Sequence, residues 1–243
     1  MPVITTALAM AACQADLPQV GTPTTGRQLI EASSRVHDPE GRWSAFAAAF
    51  EIATVPAGAV TGWSNTVYLD RVRDTFSRAQ EASGYELLQT QGVATGCRAS
   101  WTRPNVSQRD SMRLGIGADD CRAVERQRNF YAFLLGLPMS ALEGGGVFSE
   151  PVDTVDFRGE TALVVRLAFP TDDTAPAWWL YISPEDYLLT GAKFEFASGS
   201  GEVISYPLQE RFDGFLLKPR QEWYRLDAVT PISVDELEFL RIR

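Results

Sequence analysis

Three cysteines offer the clearest chemistry in this sequence of 243 residues. Cys13 follows a run of small and apolar residues, Ala7–Ala12, of the kind that precedes the lipidated cysteine of an exported lipoprotein. Residues 1–12 are therefore predicted to be a lipoprotein-type signal peptide and Cys13 the lipidation site. A signal peptide cleaved elsewhere and an ordinary unstructured N-terminus are the alternatives, because no Lys or Arg precedes the apolar run.

The other two cysteines, Cys97 and Cys121, lie in the body of the chain. Oxidising export favours a disulfide between them, whereas two buried thiols are the alternative, because free cysteine packs as a small apolar side chain. Cys97 lies on the apolar face of an alternating stretch, residues 93–101, and Cys121 in the first turn of a predicted helix. We predict that the bond joins a strand to this helix.

Few residues suggest catalysis. A Ser-His-Asp or Cys-His arrangement would need His37, the only histidine, which is expected to cap the end of a helix or to lie at the surface. The run Gly144–Gly146 lacks the lysine of a phosphate-binding loop. One histidine and no closely spaced cysteine pair also argue against a metal site. The sequence predicts a protein that is not an enzyme and needs no cofactor.

Composition limits the organisation and the partners. Residues 27–243 are sufficient for one domain with a substantial core, and residues 13–26, rich in Pro, Gly and Thr, are predicted to be a flexible tether. A net charge of −9 argues against nucleic acid as a partner, since phosphates require a basic surface. No later segment approaches the roughly 20 apolar residues of a membrane-spanning helix.

Alternation of apolar and polar residues predicts an α+β fold that is mainly β. Apolar residues at helical spacing predict one helix over residues 27–36 and a second that starts after Asp119 or Asp120 and ends near Gly136. Turns about every 8–12 residues predict sequential antiparallel strands with the helices covering one face. The predicted strands are residues 46–55, 66–76, 85–91, 93–101, 162–169, 178–182, 188–196, 203–212, 215–224 and 236–243.

Large apolar side chains in the C-terminal half are candidates for a ligand site. Core packing is the default interpretation, and the alternative is an apolar cavity, since a half-open barrel around helices leaves room for an acyl chain. The predicted lining consists of Trp178, Leu180, Ile182, Phe194, Phe196, Tyr206 and Leu217. Strand alternation leaves open that the opposite set of side chains faces the cavity.

The segment Tyr206–Pro219 contains a strand, an Asp-Gly turn and a short apolar stretch ending in proline. It resembles the late hairpin of the outer-membrane lipoprotein carrier (LolA-like) superfamily. The helix ending at His37-Asp38 and the stretch Asn129–Met139 are similar to an uncharacterised lipoprotein branch of that superfamily. The resemblance extends over about residues 27–243. It implies a strongly curved antiparallel sheet, a half-open barrel, wrapped around two or more helices, with lipid or acylated protein bound in the hollow.

The sequence thus predicts a periplasmic lipoprotein, held at the outer membrane by an acyl anchor on Cys13, that binds a lipid or other apolar ligand without catalysis. A membrane-tethered protein-interaction module is the first alternative and a hydrolase the second. The binding protein requires an enclosed apolar hollow, the module a filled interior with an exposed apolar patch, and the hydrolase His37 or a carboxylate pair in a cleft. The sequence does not indicate an oligomeric state.

Overall fold

The structure is a computed structural model. It describes residues 23–82, 85–91, 96–101, 120–170 and 175–242, with side chains for residues 23–80, 96–97, 124–170 and 175–240. The predicted signal peptide, Cys13 and most of the predicted tether lie outside the described residues.

Both predicted helices are confirmed. Helix α1 spans Gly26–His37, and it begins with a capping box in which the Thr25 hydroxyl accepts from the Gln28 backbone and the Gln28 side chain accepts from the Thr25 backbone. Helix α2 spans Asp120–Gly136. Short 3-10 helices follow α1 at Trp43–Ala45 and α2 at Met139–Leu142.

The rest of the described chain is dominated by strands, as the alternation predicts. In chain order they are β1 (Ala47–Pro56), β2 (Trp63–Asp70), β3 (Thr75–Ala82), β4 (Tyr85–Gln91), β5 (Arg98–Trp101), β6 (Val147–Phe148), β7 (Asp153–Phe157), β8 (Glu160–Ala168), β9 (Ala177–Ile182), β10 (Leu189–Glu195), β11 (Gly201–Phe212), β12 (Phe215–Arg225) and β13 (Ser233–Ile242).

These strands form one antiparallel sheet in the order β5-β4-β3-β2-β1-β13-β12-β11-β10-β9-β8-β6, with β7 paired to β8. The last strand, β13, joins the two halves by pairing with both β1 and β12. Within the described strands, the two ends of the sheet do not pair, so the barrel is open. The curved, half-open sheet implied by the resemblance is confirmed.

The inner face of the sheet, defined here as the face that packs against the helices, carries two hydrophobic clusters. The first joins Leu29 and Ile30 of α1 to inward side chains of β8–β12, and we call this region the filled half. The second lies mainly on β1–β3 and β13 and includes Val124 and Leu135 of α2; we call this region the hollow half. Helix α2 also contributes Leu134 to the filled half and therefore connects the two clusters.

One predicted strand, residues 66–76, is wrong: this segment contains the end of β2, a turn and the start of β3. Asp70 makes the turn, because its carboxylate accepts from the Arg73 backbone N–H at 2.9 Å and from the Arg73 guanidinium at 2.8 Å. Aspartate side chains often stabilise turns in this way. No glycine or proline marks the position in the sequence.

Cys97 was expected within a strand, but it immediately precedes β5. It packs beside the cluster of the hollow half. The backbone of α2 contacts β5, which agrees with a link between these elements. The side chain of Cys121 lies outside the described residues, so the Cys97–Cys121 disulfide stays a prediction.

Candidate functional site

A cavity of about 290 Å³ lies between α2 and the inner face of the hollow half. We call it the hollow. Its volume is near the lower end for small-molecule sites. It is lined by Ile52, Thr54, Trp63, Asn65, Arg78, Phe130, Tyr131, Leu134, Leu135, Glu202, Gln221, Trp223, Ser233, Asp235 and Leu237.

Five polar side chains cross the sheet side of the hollow, one from each of the adjacent strands β3, β2, β1, β13 and β12. We call them the polar row: Arg78, Asn65, Thr54, Asp235 and Gln221. Cross-strand pairing holds the last three together, since Thr54 lies opposite Asp235 and Asp235 lies opposite Gln221. Buried polar groups on an otherwise apolar face are costly unless they are hydrogen-bonded. This row therefore marks the hollow as more than a packing gap.

Asp235 is the most constrained member of the polar row. Its Oδ2 accepts from the Trp223 indole N–H at 2.9 Å, and Thr54, directly opposite on β1, also acts to lower the pKa of Asp235. Its Oδ1 is buried and has no hydrogen-bond partner. Burial raises the pKa of Asp235 in spite of Thr54 and Trp223, which act in the opposite direction.

A second carboxyl, that of Glu202 at the start of β11, lines the same hollow. Its pKa is also raised, first by burial and then by the nearby charge of Asp235. Within the described part of the chain, neither carboxyl forms an ion pair with Arg or Lys. Arg225 lies opposite Glu202 on β12 but forms no ion pair with it, so the two acidic groups face the hollow without an ion-pair partner among the described residues.

Arg78 lies at the other end of the polar row. Its Nε donates to Asn65 at 2.9 Å, and its Nη2 donates to Gln80 at 2.7 Å. Its position on β3 is three strands from Asp235 on β13, which corresponds to about 14 Å at roughly 4.8 Å per strand. The guanidinium also lies 6.0 Å from the centroid of the Tyr131 ring, so Arg78 is held on its own side of the hollow by these contacts among others.

Four aromatic rings complete the hollow: Trp63, Phe130, Tyr131 and Trp223. The rings of Phe130 and Trp223 lie 6.4 Å apart between centroids, and those of Phe130 and Tyr131 lie 5.8 Å apart. The hydrogen bond to Asp235 fixes the Trp223 indole. The hollow thus combines aromatic and aliphatic side chains with two uncompensated carboxyls.

The mouth of the hollow is rimmed by three loops, residues 57–62, 196–200 and 226–232. We call them the rim. Each loop leads directly into a strand that supplies a residue of the hollow, and the backbone N–H of Ala57 donates to the carbonyl of Ile232 at 2.8 Å. Val60 is fully exposed and Val229 is 85% exposed. Asp227 is the one charged residue in these loops, so the rim carries little charge and exposes apolar side chains.

The structure places the predicted lining mainly elsewhere. Trp178, Leu180, Ile182, Phe194 and Tyr206 pack in or against the cluster of the filled half, and Leu217 belongs to the cluster of the hollow half. Phe196 lies on the rim and is 40% exposed. None of the seven lines the hollow. Their contact with a ligand stays a prediction.

His37 was expected to cap a helix or lie at the surface, and this expectation is wrong. The ring is fully buried at the end of α1. Its Nδ1 donates to the Leu216 carbonyl at 2.8 Å, and its Nε2 accepts from the Leu189 backbone N–H at 3.1 Å. Burial lowers the pKa of His37 to about 3. Both ring nitrogens are occupied in joining α1 to β10 and β12, so neither is available to activate a nucleophile.

Lys218 is a second buried group that sequence reasoning missed. Its ammonium donates to the carbonyls of Leu135, at 3.2 Å, and of Leu137, at the C-terminal end of α2. A cation is favourable there because the last carbonyls of a helix lack helical partners and carry partial negative charge. Burial lowers the pKa of Lys218 to about 7. The side chain fixes α2 against the sheet and does not line the hollow.

The polar row was also missed, although the sequence contains a signal for it. Thr54, Asn65 and Arg78 continue the apolar phase of their strands, next to Ile52, Val67 and Phe76. A polar residue in the apolar phase of a strand looks like the end of the buried stretch when one strand is considered alone. The polar row can be recognised only when the strand order is known, because its residues come from neighbouring strands of the sheet.

The fold has counterparts among solved structures. The chain is similar to a LolA superfamily protein from Nitrosomonas europaea, with a TM-score of 0.51 and 12% identity over 91% of this chain and 94% of that chain. A DUF1329 family protein from Desulfovibrio piger matches with a TM-score of 0.48 and 10% identity over 91% of this chain and 93% of that one. An outer membrane lipoprotein-sorting protein domain from Vibrio parahaemolyticus matches with a TM-score of 0.45 and 14% identity, covering 88% and 90%.

At these identities the likeness concerns the fold alone, and at that level the predicted resemblance to the LolA-like superfamily is confirmed. Neither the comparison with protein-family models nor the comparison with curated proteins finds a match. Within the described residues, neither helix has the length and apolar character needed to cross a bilayer.

Proposed function

We propose that this protein binds a lipid or another amphipathic, mostly apolar ligand in the hollow, without catalysing a reaction on it. The observation that carries the proposal is the hollow itself, an aromatic and aliphatic cavity with a polar row on one side. A protein folded only for stability would gain by filling this space, because buried cavities and buried polar groups both reduce stability.

We propose that an acyl anchor on Cys13 holds the protein at a membrane of the periplasm, as the sequence predicts. The LolA-like fold is compatible with that setting. Palmitate labelling in a native host tests the anchor: the wild type should be labelled and a Cys13→Ala variant should not. Equal labelling of both, or of neither, would contradict it.

The ligand itself is tested by native mass spectrometry of protein purified from membranes. A lipid mass should accompany the wild type and be lost in Ser233→Trp, because Ser233 lines the hollow and a tryptophan there would fill part of its volume. The matched control is Ser77→Trp, a half-buried position on β3 that does not line the hollow. Lipid retained by both variants would place the ligand outside the hollow.

A second candidate function is a protein-interaction module, and the rim favours it. Val60 and Val229 expose apolar surface on loops with almost no charge, and such patches often mark interaction sites. If this second function is correct, the wild type should carry no lipid and should form a crosslink to a partner protein in cells. A Val60→Ser, Val229→Ser double variant should lose that crosslink. If the wild type carries a lipid that Ser233→Trp lacks, the result supports the ligand-binding function.

A further inference from the structure

The carboxyls of Asp235 and Glu202 face the hollow from the side opposite to Arg78. The two acidic groups lie on different strands, β13 and β11, and are close enough for the charge of Asp235 to raise the pKa of Glu202. In the described part of the chain no cation pairs with either. Two carboxyls partly removed from water repel each other unless a proton or a cation lies between them.

Asp235 also has hydrogen-bonding capacity left over. The Trp223 indole donates to Oδ2, yet Oδ1 remains buried without a donor. A buried carboxylate oxygen without a hydrogen bond destabilises the protein, and a hydrogen-bond donor on a ligand would offset that penalty. Asp235 Oδ1 therefore lacks a hydrogen-bond donor. Because the carboxyl of Glu202 is also nearby, a positively charged donor would suit this position best.

The aromatic rings of the hollow favour the same kind of group. Trp63, Trp223, Phe130 and Tyr131 surround the space beside the carboxyls, and the faces of such rings attract cations, with ammonium groups among the ligands so recognised. The aliphatic side chains of Ile52, Leu134 and Leu237 lie in the same cavity and would hold an apolar body. The aromatic rings and carboxyls suit a cation, and the aliphatic side chains suit a hydrocarbon chain attached to it.

We propose that the hollow selects an amphiphile bearing an ammonium group, which Asp235 and Glu202 neutralise while the aromatic rings enclose it and the aliphatic side chains hold the chain. This inference rests on the proposed function, since it names the head group of the ligand that the hollow binds. Arg78 forms no ion pair with either carboxyl; its guanidinium lies 6.0 Å from the centroid of the Tyr131 ring and donates to Asn65 and Gln80.

The test compares three amphiphiles that share a dodecyl chain: dodecyltrimethylammonium, dodecyl maltoside and dodecyl sulfate. Each is titrated into the full chain, stripped of lipid, below its micelle-forming concentration, and binding is measured by calorimetry and by tryptophan fluorescence. We expect dodecyltrimethylammonium to bind at least about tenfold more tightly than the neutral amphiphile and dodecyl sulfate to bind most weakly, which corresponds to about 1.4 kcal/mol or more for the first difference.

Asp235→Asn and Glu202→Gln keep the shape of each side chain and remove its charge. The double variant should lose the preference, so that dodecyltrimethylammonium and dodecyl maltoside bind with similar affinity. The control is Asp227→Asn, which removes the same charge from the exposed rim and should retain the preference. A preference that survives in the double variant, or that Asp227→Asn also abolishes, would overturn the inference.

The two proposals fail in different ways. If the three amphiphiles bind with similar affinity and Ser233→Trp blocks all of them, the hollow is a ligand site but does not select ammonium. If none binds to the wild type, the inference and the proposed function fail together.

Discussion

The two halves of the inner face differ in one row of side chains. In the filled half, Val165, Leu180, Ala192 and Ile204 lie opposite one another on β8, β9, β10 and β11, and all four are completely buried. Around the hollow, the adjacent strands β3, β2, β1, β13 and β12 contribute the polar row instead. The hollow half therefore combines its own buried apolar cluster with a cavity beside the polar row.

The difference shows how a single fold separates stability from binding. Rows of apolar side chains allow α1 to pack directly against the sheet, because burying each of these side chains is favourable. A polar row keeps α2 from closing completely, because its members need hydrogen-bonding partners. The apolar rows therefore stabilise the protein, and the residues around the hollow are where we expect substitutions to affect the proposed ligand with the least effect on stability.

The largest expected effect lies in the filled half. Leu180→Ala should lower the free energy of unfolding by about 3 to 4 kcal/mol, since it removes a fully buried side chain and leaves a cavity in close-packed surroundings. Leu208→Ala, the same substitution at a position that is 42% exposed, should cost well under 1 kcal/mol. Urea unfolding measures both values. Equal losses would mean that the filled half is not close-packed.

His37 provides the next largest effect and gives it a pH dependence. The folded protein holds the ring neutral, with its pKa lowered to about 3, whereas the unfolded chain binds a proton near pH 6.5. Because the unfolded state binds more protons between these values, the contribution of His37 is present above pH 6.5 and is lost as the pH falls toward 3.

The matched variant for this effect is His37→Gln. It should be less stable than the wild type by about 2 kcal/mol at pH 7, because glutamine cannot reproduce both backbone bonds. The difference between the two proteins should shrink as the pH falls from 6.5 to 4, measured by urea unfolding at each pH. A constant difference would show that the ring does not titrate on unfolding.

Much of the fold could be predicted from the sequence because its determinants are local. Helix α1 has Thr25 and Gln28 as a capping box, and the turns at Asp213-Gly214 and Arg158-Gly159 separate strands of strong alternation. The turn after Asp70 escaped prediction because an aspartate side chain makes it without glycine or proline.

The candidate site was less accessible, since it depends on register. Thr54, Asp235 and Gln221 come from three strands, and Thr54 is far from the other two along the chain; they meet only because β13 pairs with both β1 and β12. Periodicity within one strand cannot reveal such a row. Similarly, nothing near His37 in sequence indicates that Leu189 and Leu216 hold its ring.

In the hollow half, Asp235→Asn should have a smaller effect of opposite sign. The raised pKa of Asp235 means that the folded protein holds the carboxyl proton to a higher pH than the unfolded chain does. The contribution of Asp235 therefore falls as the pH rises through that raised pKa, and the ionised group is a cost at pH 7. Asparagine can still accept from Trp223, so the variant should gain about 1 kcal/mol at pH 7.

Urea unfolding at pH 4 and pH 7 checks this expectation, and Asp227→Asn on the rim is the control. The gain from Asp235→Asn should be larger at pH 7 than at pH 4, whereas Asp227→Asn should change little at either pH. A variant less stable than the wild type at both pH values would mean that the carboxylate is stabilised by the fold.

The smallest expected effect concerns Phe196, which lies on the rim between the two halves. Its side chain is 40% exposed and contacts Phe194 edge-on, with ring centroids 5.8 Å apart. Phe196→Ser should lower the free energy of unfolding by about 1 kcal/mol or less, because 40% of the ring already faces water in the folded protein. Phe194→Ser, which also removes contact with Trp178 at 5.1 Å, should cost more. Unfolding of both variants, followed by native mass spectrometry for retained lipid, separates two roles: if Phe196→Ser keeps its stability but loses the lipid, the ligand reaches across the rim, and the hollow alone does not account for binding.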